Sequence, residues 1–411
     1  MKNKKPELLA PAGSLNKLKT AFLYGADAVY IGGEEYSLRA AADNFSIDEI
    51  KEGVSYAHDL GKKVYLTANI IPHNRDLHDF KNFLTEVKNT GIDAVIISDL
   101  GLFSIAREIA PELDIHVSTQ ANNVNFESAN AWHKLGAKRV ILARELSLKE
   151  IAQIREKTDS SLELEAFVHG AMCISYSGRC LLSNYMTERD SNLGACAHPC
   201  RWKYSLVEET RPGEYFPVFE NDRGTFIFNS KDLCMIKHIP ELIKSGLDSF
   251  KIEGRVKTEY YLATVVKAYR DAIDAYFENK LDSEYTDKLF SELKKVSHRD
   301  YTTGFYFERP SGNEQNYKTS SYIRKYELLG IVTDYDKDKK TISLIQKNRF
   351  YEGSDVEFLC PHSDFITYKV SGLKDAEGNL LEVANKPQQT VKMFSEIPVE
   401  AGSMMRGKRN M

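Results

Sequence analysis

Apolar runs alternate with amphipathic stretches over the first two thirds of the chain. In the amphipathic stretches, apolar residues recur three and four positions apart, which is typical of one face of a helix. Predicted helices include residues 15–23, 48–60, 77–88, 128–135 and 148–156. Buried strands that alternate with such helices predict a parallel sheet. Eight apolar runs have the length of buried strands: 7–11, 28–33, 63–69, 94–100, 114–120, 139–144, 162–169 and 249–253.

A recurring sequence motif, here called the recurring phrase, marks the end of several predicted helices. It reads Gly25-Ala-Asp-Ala-Val-Tyr30 at its first occurrence and Gly91-Ile-Asp-Ala-Val-Ile96 at its second. A helix that ends at a left-handed glycine and turns directly into a buried strand explains the phrase. Eight such units fit a (β/α)8 barrel of the TIM type, which has about 250 residues. An open doubly wound sheet is the alternative, although no GxGxxG follows the first strand to favour it.

The alternation is interrupted once, by an insertion at about residues 171–230, after the seventh predicted strand. Because the loops that follow barrel strands form the active-site face, we expect the insertion to lie there. A predicted helix at 233–244 and the eighth strand then resume the pattern, and a long helix at 256–279 follows.

The end of the chain has a different pattern. Residues 286–325 are polar and predict a connector, and from residue 326 short β runs alternate with turn sequences. We therefore expect three parts: a barrel domain over 1–285, a connector over 286–325 and a small all-β barrel over 326–411.

Composition narrows the functional classes. A hydrophobic share of 42% and a charged share of 28% are those of a soluble globular protein. The net charge of -4 means that contact with RNA would need a local basic patch. The sequence shows neither the apolar core of a signal peptide nor a membrane-spanning apolar run. We expect a cytoplasmic protein, where clustered cysteines indicate metal binding or catalysis more often than disulfides.

Four of the six cysteines lie in the insertion, with the spacing Cys-x6-Cys-x15-Cys-x3-Cys. Four thiolates at one locus can hold zinc or an iron–sulfur cluster. The second pair approaches the spacing of a zinc knuckle, whereas the first suits a looser loop around a larger cluster, so spacing alone does not choose the metal. Cys234, in the predicted helix 233–244, could replace one ligand, and unrelated core cysteines are the remaining alternative. The four clustered cysteines are Cys173, Cys180, Cys196 and Cys200.

Two motifs around these cysteines resemble a known family. Glu165-Ala-Phe-Val-His-Gly-Ala-Met-Cys173, followed by Gly178-Arg-Cys180-Leu-Leu-Ser183, resembles the signature of peptidase family U32. Lys251-Ile-Glu-Gly-Arg255 and the C-terminal β region are similar to other parts of that family. The resemblance extends over nearly the whole chain.

The resemblance implies two possible activities: proteolysis of the collagenase type, and oxygen-independent hydroxylation with a 4Fe–4S cluster. Gly194-Ala-Cys-Ala-His-Pro-Cys-Arg-Trp202 is similar to the family's tRNA uridine hydroxylation proteins. That similarity implies a tRNA partner, 5-hydroxyuridine at the wobble position as product and prephenate as co-substrate. It also implies that Cys173, Cys180, Cys196 and Cys200 are the cluster ligands.

Missing motifs help to choose between these activities. The chain has no HExxH of a metalloprotease and no GxSxG of an α/β hydrolase. A Cys173–His169 protease pair would leave three clustered cysteines unexplained. We therefore expect an RNA-modifying enzyme, with a U32 peptidase or a non-catalytic RNA-binding or assembly protein as alternatives.

Polar residues at the predicted strand ends are the candidate site residues, since that end of a barrel carries the chemistry. His169, Glu253, Asn69 and Gln120 are candidate catalytic residues, and an ordinary loop-facing role is the alternative for each. A small dicarboxylate such as prephenate calls for arginine, which binds carboxylates through two hydrogen bonds. The candidates are Arg39, Arg144 and Arg255, with salt bridges to nearby glutamates as their alternative role.

The densest basic stretch lies in the C-terminal β region and could contact a tRNA backbone. A solvated hairpin is the alternative interpretation. Its residues are Lys337, Lys339, Lys340, Lys347 and Arg349.

Overall fold

Eight parallel strands form a closed barrel in the computed structural model, which describes residues 4–38, 44–173, 180–202, 205–207, 215–217, 231–307 and 322–409. Strand β11 pairs with β7 on one side and with β1 on the other, and this pairing closes the barrel. The predicted (β/α)8 barrel is therefore confirmed. The barrel strands are β1 (Glu7–Pro11), β2 (Ala28–Gly32), β3 (Lys63–Ala68), β4 (Ala94–Ile97), β5 (Asp114–Val117), β6 (Arg139–Ile141), β7 (Glu163–Ala171) and β11 (Ser249–Ile252).

Helices surround the barrel and pack their apolar faces on its strands. Side chains cap the first turns of several helices: Ser46 accepts from the backbone N–H of Glu49, for example, and Glu49 bonds back to Ser46. Gly25 has φ 103° and ends the first helix in the left-handed region, as the recurring phrase predicts. The helices are α1 (Leu15–Leu23), α2 (Ile47–Asp59), α3 (Asn74–Lys88), α4 (Leu100–Ile109), α5 (Phe126–Lys134), α6 (Leu148–Lys157), α7 (Leu182–Thr187), α8 (Ile239–Lys244), α9 (Glu259–Phe277) and α10 (Ser283–Leu293).

The insertion follows β7, as predicted. It contains α7, two 3-10 turns at Ser191–Leu193 and Pro199–Arg201, and the antiparallel pair β8 (Ser205–Val207) and β9 (Tyr215–Pro217). It occupies the end of the barrel where the strands have their carboxyl termini.

The segment after the insertion differs from the predicted helix 233–244. Its first residues form strand β10 (Asp232–Cys234), antiparallel to the end of β7, and α8 begins only at Ile239. The reason is that β7 extends to Ala171, past the barrel, and offers an edge for pairing. Cys234 therefore lies on a strand and not on a helix.

The predicted connector also contains regular structure. Helix α10 packs against α9, and the short strand β12 (Tyr301–Thr302) pairs with β10. The buried Arg299 donates from its backbone N–H and its Nε to Asp232 at 3.0 and 3.1 Å, which fixes the end of the insertion.

The C-terminal region is an antiparallel half-barrel of seven strands in the order β17-β16-β21-β13-β14-β20-β18. Its two edge strands, β17 and β18, do not pair with each other within the part of the chain that is described. The all-β prediction for this region is confirmed. Its strands, including the separate pair β15 and β19, are β13 (Tyr326–Asp336), β14 (Thr341–Gln346), β15 (Phe350–Tyr351), β16 (Asp355–Leu359), β17 (Ile366–Lys369), β18 (Lys374–Asp375), β19 (Val383–Ala384), β20 (Thr390–Phe394) and β21 (Met404–Lys408).

The half-barrel is bonded to the helices of the barrel. Tyr24, at the end of α1, donates to the carbonyls of Leu359 and Gly402 at 2.9 and 3.0 Å. The fully buried Arg406 pairs with Glu292 of α10 and with Glu357 at 2.8 Å. Among the described helices, none combines the length and apolarity that crossing a bilayer requires.

Candidate active site at the barrel mouth

A cavity of about 190 Å³ lies at the mouth of the barrel, between the strand ends and the insertion. That volume suits a small molecule and not a folded macromolecule. The barrel wall of the cavity includes Asn69, Gln120, Arg144, Lys251, Glu253 and Arg255, and the insertion wall includes Cys173, Cys180, Cys196, Cys200, Leu182, Ser183, Asn192 and His198.

The four clustered cysteines all line this one cavity. Local hydrogen bonds shape the insertion around them. Ser191 Oγ donates to the carbonyl of Cys180 at 2.8 Å, and the N–H of Ala197 donates to Ser183 Oγ at 2.9 Å. The N–H of Ile71, after β3, donates to the carbonyl of Asn192 at 3.1 Å and joins the insertion to the barrel.

These thiols fit a metal cluster in their chemistry and in facing the same space. A backbone N–H, that of His198, donates to Cys196 Sγ at 3.4 Å, the kind of bond that tunes a cluster thiolate. In the described residues, however, no three His, Cys, Asp or Glu side chains converge as the ligands of a metal ion would. The four thiols therefore share one cavity wall.

The other two cysteines lie away from this wall. Cys234 is buried, and burial raises the pKa of its thiol to about 12. Cys360 is fully buried in the core of the half-barrel. Neither side chain lines the cavity.

Arg255 lies at the cavity wall and is nearly fully buried. Its Nη1 donates to Ser37 Oγ at 2.6 Å and Thr67 Oγ1 at 3.0 Å, and its Nη2 donates to Asn44 Oδ1 at 2.8 Å. A Cβ at Gly32 would lie 2.3 Å from the guanidinium, so the absence of a side chain there makes room for it. These bonds orient the Arg255 guanidinium at the mouth.

Arg144 lines the same cavity from the end of β6. Its Nη1 donates to the carbonyl of Ala171 at 2.6 Å, and its guanidinium lies 4.7 Å from the centroid of Phe167. The neighbouring Glu145 is half-buried, and burial raises the pKa of its carboxyl. Arg39, the third predicted arginine, lies outside the described residues.

Three of the four candidate catalytic residues also line the cavity: Asn69, Gln120 and Glu253. Asn69 accepts from the N–H of Leu38 at 3.3 Å and donates to Ser118 Oγ at 3.3 Å, so it ties two mouth loops together. Hydrogen-bonding side chains placed this way can orient a polar ligand.

His169 does not line the cavity. It is buried beside the rings of Tyr261, Tyr269 and Tyr301, on the side of β7 that faces away from the mouth. Burial lowers the pKa of its imidazole to about 3. The ring is therefore neutral at physiological pH.

Comparison with known proteins gives this architecture a family. The sequence profile of peptidase family U32 matches residues 13–316, and that of the peptidase family U32 C-terminal domain matches residues 324–406. The chain belongs to peptidase family U32. The first match takes in every barrel strand except β1 together with the cysteine-bearing insertion, and the second covers most of the half-barrel.

Relatives within U32 carry different names. The tRNA hydroxylation protein P1 of Bacillus subtilis (strain 168) is 42% identical over 403 residues, 98% of this chain and 95% of that protein. A 23S rRNA 5-hydroxycytidine synthase of Escherichia coli (strain K12) is 35% identical over 311 residues, 73% of this chain and 45% of that protein. An uncharacterized protease of Methanocaldococcus jannaschii is 46% identical over 341 residues, 80% of this chain and 81% of that protein.

The sequence patterns did not reveal one feature of this U32 barrel, a buried charged network beneath the mouth, which we call the floor cluster: Lys251, Glu165, Arg139, Glu7 and Glu163. Lys251 Nζ lies 2.9 Å from Glu165 Oε1, and Arg139 Nη1 lies 2.8 Å from Glu165 Oε2. Arg139 also pairs with Glu7 and Glu163, each at 2.6 Å. Only Lys251 reaches the cavity. The signal that could have found the cluster was the presence of charged residues inside predicted buried strands.

The basic stretch of the half-barrel is divided. Lys337, Lys339 and Lys340 lie at the β13–β14 turn, where Lys339 pairs with Asp336 and Lys340 with Glu396. Lys347 and Arg349 follow the opposite end of β14. The stretch is therefore two small patches and not one, because the strand between them separates its halves.

Proposed function

We propose that this U32 chain hydroxylates a tRNA uridine, giving 5-hydroxyuridine at the wobble position without using molecular oxygen. One observation carries the proposal: four thiols and two arginines line the same cavity at the mouth of a (β/α)8 barrel. The names of two relatives support hydroxylation of RNA, and one of them specifies the 5-hydroxy derivative of a pyrimidine nucleoside.

The proposed cofactor is a 4Fe–4S cluster held by the four cavity thiols, with zinc as the alternative. When bound, such a cluster supplies one-electron redox chemistry. The proposed ligands are Cys173, Cys180, Cys196 and Cys200.

The proposed co-substrate is prephenate, a dicarboxylate. Arg144 and Arg255, which line the cavity, would bind its two carboxylates, because a guanidinium forms strong charge-assisted bonds to such groups. Asn69, Gln120 and Glu253 line the same space and would orient the bound molecule through hydrogen bonds. The insertion, which covers the mouth, would limit the access of water.

Nucleoside analysis of tRNA tests this function. A deletion strain would be complemented with wild type, with Cys180→Ser or with an empty vector. We expect 5-hydroxyuridine derivatives in the first strain only. Equal levels in all three would exclude the proposal.

Peptidase activity is the second candidate, because one relative carries a protease name. It would appear as cleavage of denatured collagen by the purified protein, and Cys180→Ser without a cluster would cleave equally well. That result, together with unchanged tRNA, would establish the peptidase.

A further inference from the structure

Lys251 is the one member of the floor cluster whose side chain reaches the cavity. It is nearly fully buried, and its Nζ lies 4.4 Å from the ring centroid of Tyr30 and 5.5 Å from that of Phe167. Amines are uncommon in such surroundings, since an ammonium loses its hydration there. Lys251 therefore presents an amine, shielded from bulk water, to any molecule bound at the mouth.

Burial, more than the neighbouring charges, favours the release of a proton from Lys251. Glu165 is its partner, but the second oxygen of that carboxylate is taken by Arg139, so the negative charge is divided between two cations. Arg139 keeps its proton, because its pKa is raised well above the usual value by Glu7 and Glu165. Burial lowers the pKa of Lys251, with Glu165 opposing the shift and Arg139 adding to it. Of the two cations on Glu165, Lys251 is the one that can become a neutral nucleophile.

Two arginines line the same cavity as this amine. A ligand that places carboxylates on Arg144 and Arg255 lies within the space that Lys251 also borders. The class of ligand that uses all three groups is a small dicarboxylate that also carries a ketone, since a ketone is the functional group that an uncharged lysine attacks.

We propose that Lys251 is a catalytic residue that forms a covalent imine with the ketone of such a keto dicarboxylate. This inference rests on the proposed function, because the ligand that forms the imine is the co-substrate of the proposed hydroxylation.

The step balances without a further reactant. The Lys251 ammonium gives a proton to Glu165, and the neutral amine attacks the carbonyl carbon to form a carbinolamine. The C–O bond then breaks as the oxygen leaves as water, and the C=N bond forms. Of the three ammonium hydrogens, two leave in the water and one stays on the iminium nitrogen, while Glu165 accepts a proton and returns it. No oxidation or reduction takes place.

Reductive trapping tests the proposal on the full-length protein without tRNA. The protein would be treated with borohydride in the presence of prephenate, a keto dicarboxylate, and separately in the presence of malonate, a dicarboxylate that has no ketone. Peptide mapping by mass spectrometry would then locate any reduced adduct. We expect one adduct, at Lys251, with prephenate and none with malonate. This measurement needs no variant, so it does not depend on whether a substituted barrel folds.

Two matched variants complete the test. Lys251→Arg keeps a cation beside Glu165 but cannot form the imine, and it should lose the adduct. Lys267→Arg alters another buried lysine, on α9, which is paired with Asp271 and lies outside the cavity, and it should keep the adduct. No adduct in the wild type, an adduct spread over many lysines, or an adduct that persists in Lys251→Arg would overturn the proposal.

The two proposals can fail separately. If the wild type makes 5-hydroxyuridine in cells but gives no adduct, the imine is wrong and the proposed function remains. If Lys251 is trapped but tRNA from the deletion strain is unchanged, the imine remains and the hydroxylation is wrong. Normal hydroxylation by Lys251→Arg would exclude a catalytic role for this amine.

Discussion

The two walls of the mouth cavity are held together in different ways. On the barrel wall, the floor cluster and the hydrogen bonds of Arg255 fix charged groups on buried strand ends. On the insertion wall, short turns and a few side-chain bonds to the backbone support the thiols, and the described residues include no preformed metal-ligand group. The contrast indicates that the charged groups of the barrel wall are part of the buried core, whereas the thiols of the insertion wall lie outside it.

The largest expected effect is a loss of metal binding at the insertion wall. Cys180→Ser should abolish binding of the cluster, because a serine hydroxyl is a poor ligand for iron compared with a thiolate. Iron and acid-labile sulfide in anaerobically purified protein would measure the loss. Cys360→Ala, in the half-barrel core, is the matched control and should keep the cluster, as should Cys234→Ala. Stoichiometric zinc without sulfide in the wild type would show that the thiols bind zinc and not an iron–sulfur cluster.

On the barrel wall, the expected effect of a substitution is a loss of folding stability. Arg139→Leu removes the cation shared by three glutamates and leaves the fully buried Glu165 with Lys251 as its one remaining cation. Breaking a buried ion pair in this way costs about 3–5 kcal/mol of unfolding free energy. Denaturant unfolding would measure it, with Lys288→Ala, an exposed partner of Asp364, as a control that should cost under about 1 kcal/mol. Equal stability of the two variants would contradict the role of the floor cluster.

Binding of the dicarboxylate should depend on the barrel wall alone. Arg144→Ala removes one charge-assisted contact, which is typically worth about 1.5–3 kcal/mol, or roughly ten- to a hundredfold in affinity. Calorimetric titration with prephenate would measure the change, and the cluster content should stay constant. Arg107→Ala, on the outer helix α4, should bind as the wild type does. Loss of the cluster in Arg144→Ala would show that the two walls are not independent.

His169, behind the barrel wall, predicts an acid-dependent effect. Its pKa is about 3 in the folded chain against 6.5 in the unfolded chain. Between these values the unfolded chain binds the extra proton, so stability rises with pH there, is complete above 6.5 and is lost as pH falls towards 3. The unfolding free energy then changes with pH by up to about 1.4 kcal/mol per pH unit. Denaturant unfolding from pH 7 to 4 should show a shallower dependence of stability on pH for His169→Gln than for the wild type, and equal dependences would contradict the prediction.

The smallest effect is expected far from both walls, at the β13–β14 turn. If its lysines bind tRNA phosphates, replacing both Lys339 and Lys340 by Ala should weaken binding. The dependence of log affinity on log salt should then fall by about 1 for each phosphate that is no longer neutralised. Titration of tRNA at several salt concentrations measures that slope. The same salt dependence for the variant and the wild type would show that these lysines face solvent and do not contact tRNA phosphates.

The barrel and the position of the insertion could be predicted because both depend on local patterns. Each strand is a short apolar run, and each helix repeats its apolar residues at a regular spacing. Strand β10 could not be predicted, since Asp232-Leu233-Cys234 is too short to show a period and forms only because β7 runs on past the barrel. The helix α10 was missed because its polar face dominates its composition.

The site was only partly predictable for a similar reason. Strand alternation tells which side chains share a face, but the β7–β11 register shifts between Lys251 and Ile252, opposite Phe167 and His169. That irregularity lies at the mouth, so the sequence could not tell that Lys251 faces the cavity while His169 faces away. The ion pairs of Arg139 join residues more than a hundred positions apart in one case, and no local pattern records them.

The pairing of Ala171 with Asp232 affects how the insertion can change during evolution. The chain leaves the barrel at one of these residues and returns at the other, and directly opposed residues on antiparallel strands lie about 5 Å apart. The two ends of the insertion therefore meet at one narrow place on the barrel, although a hydrogen bond from Ile71 to Asn192 also holds it there. It can lengthen, shorten or exchange its contents while the barrel keeps its shape, so one scaffold can serve several thiol-bearing caps and several substrates.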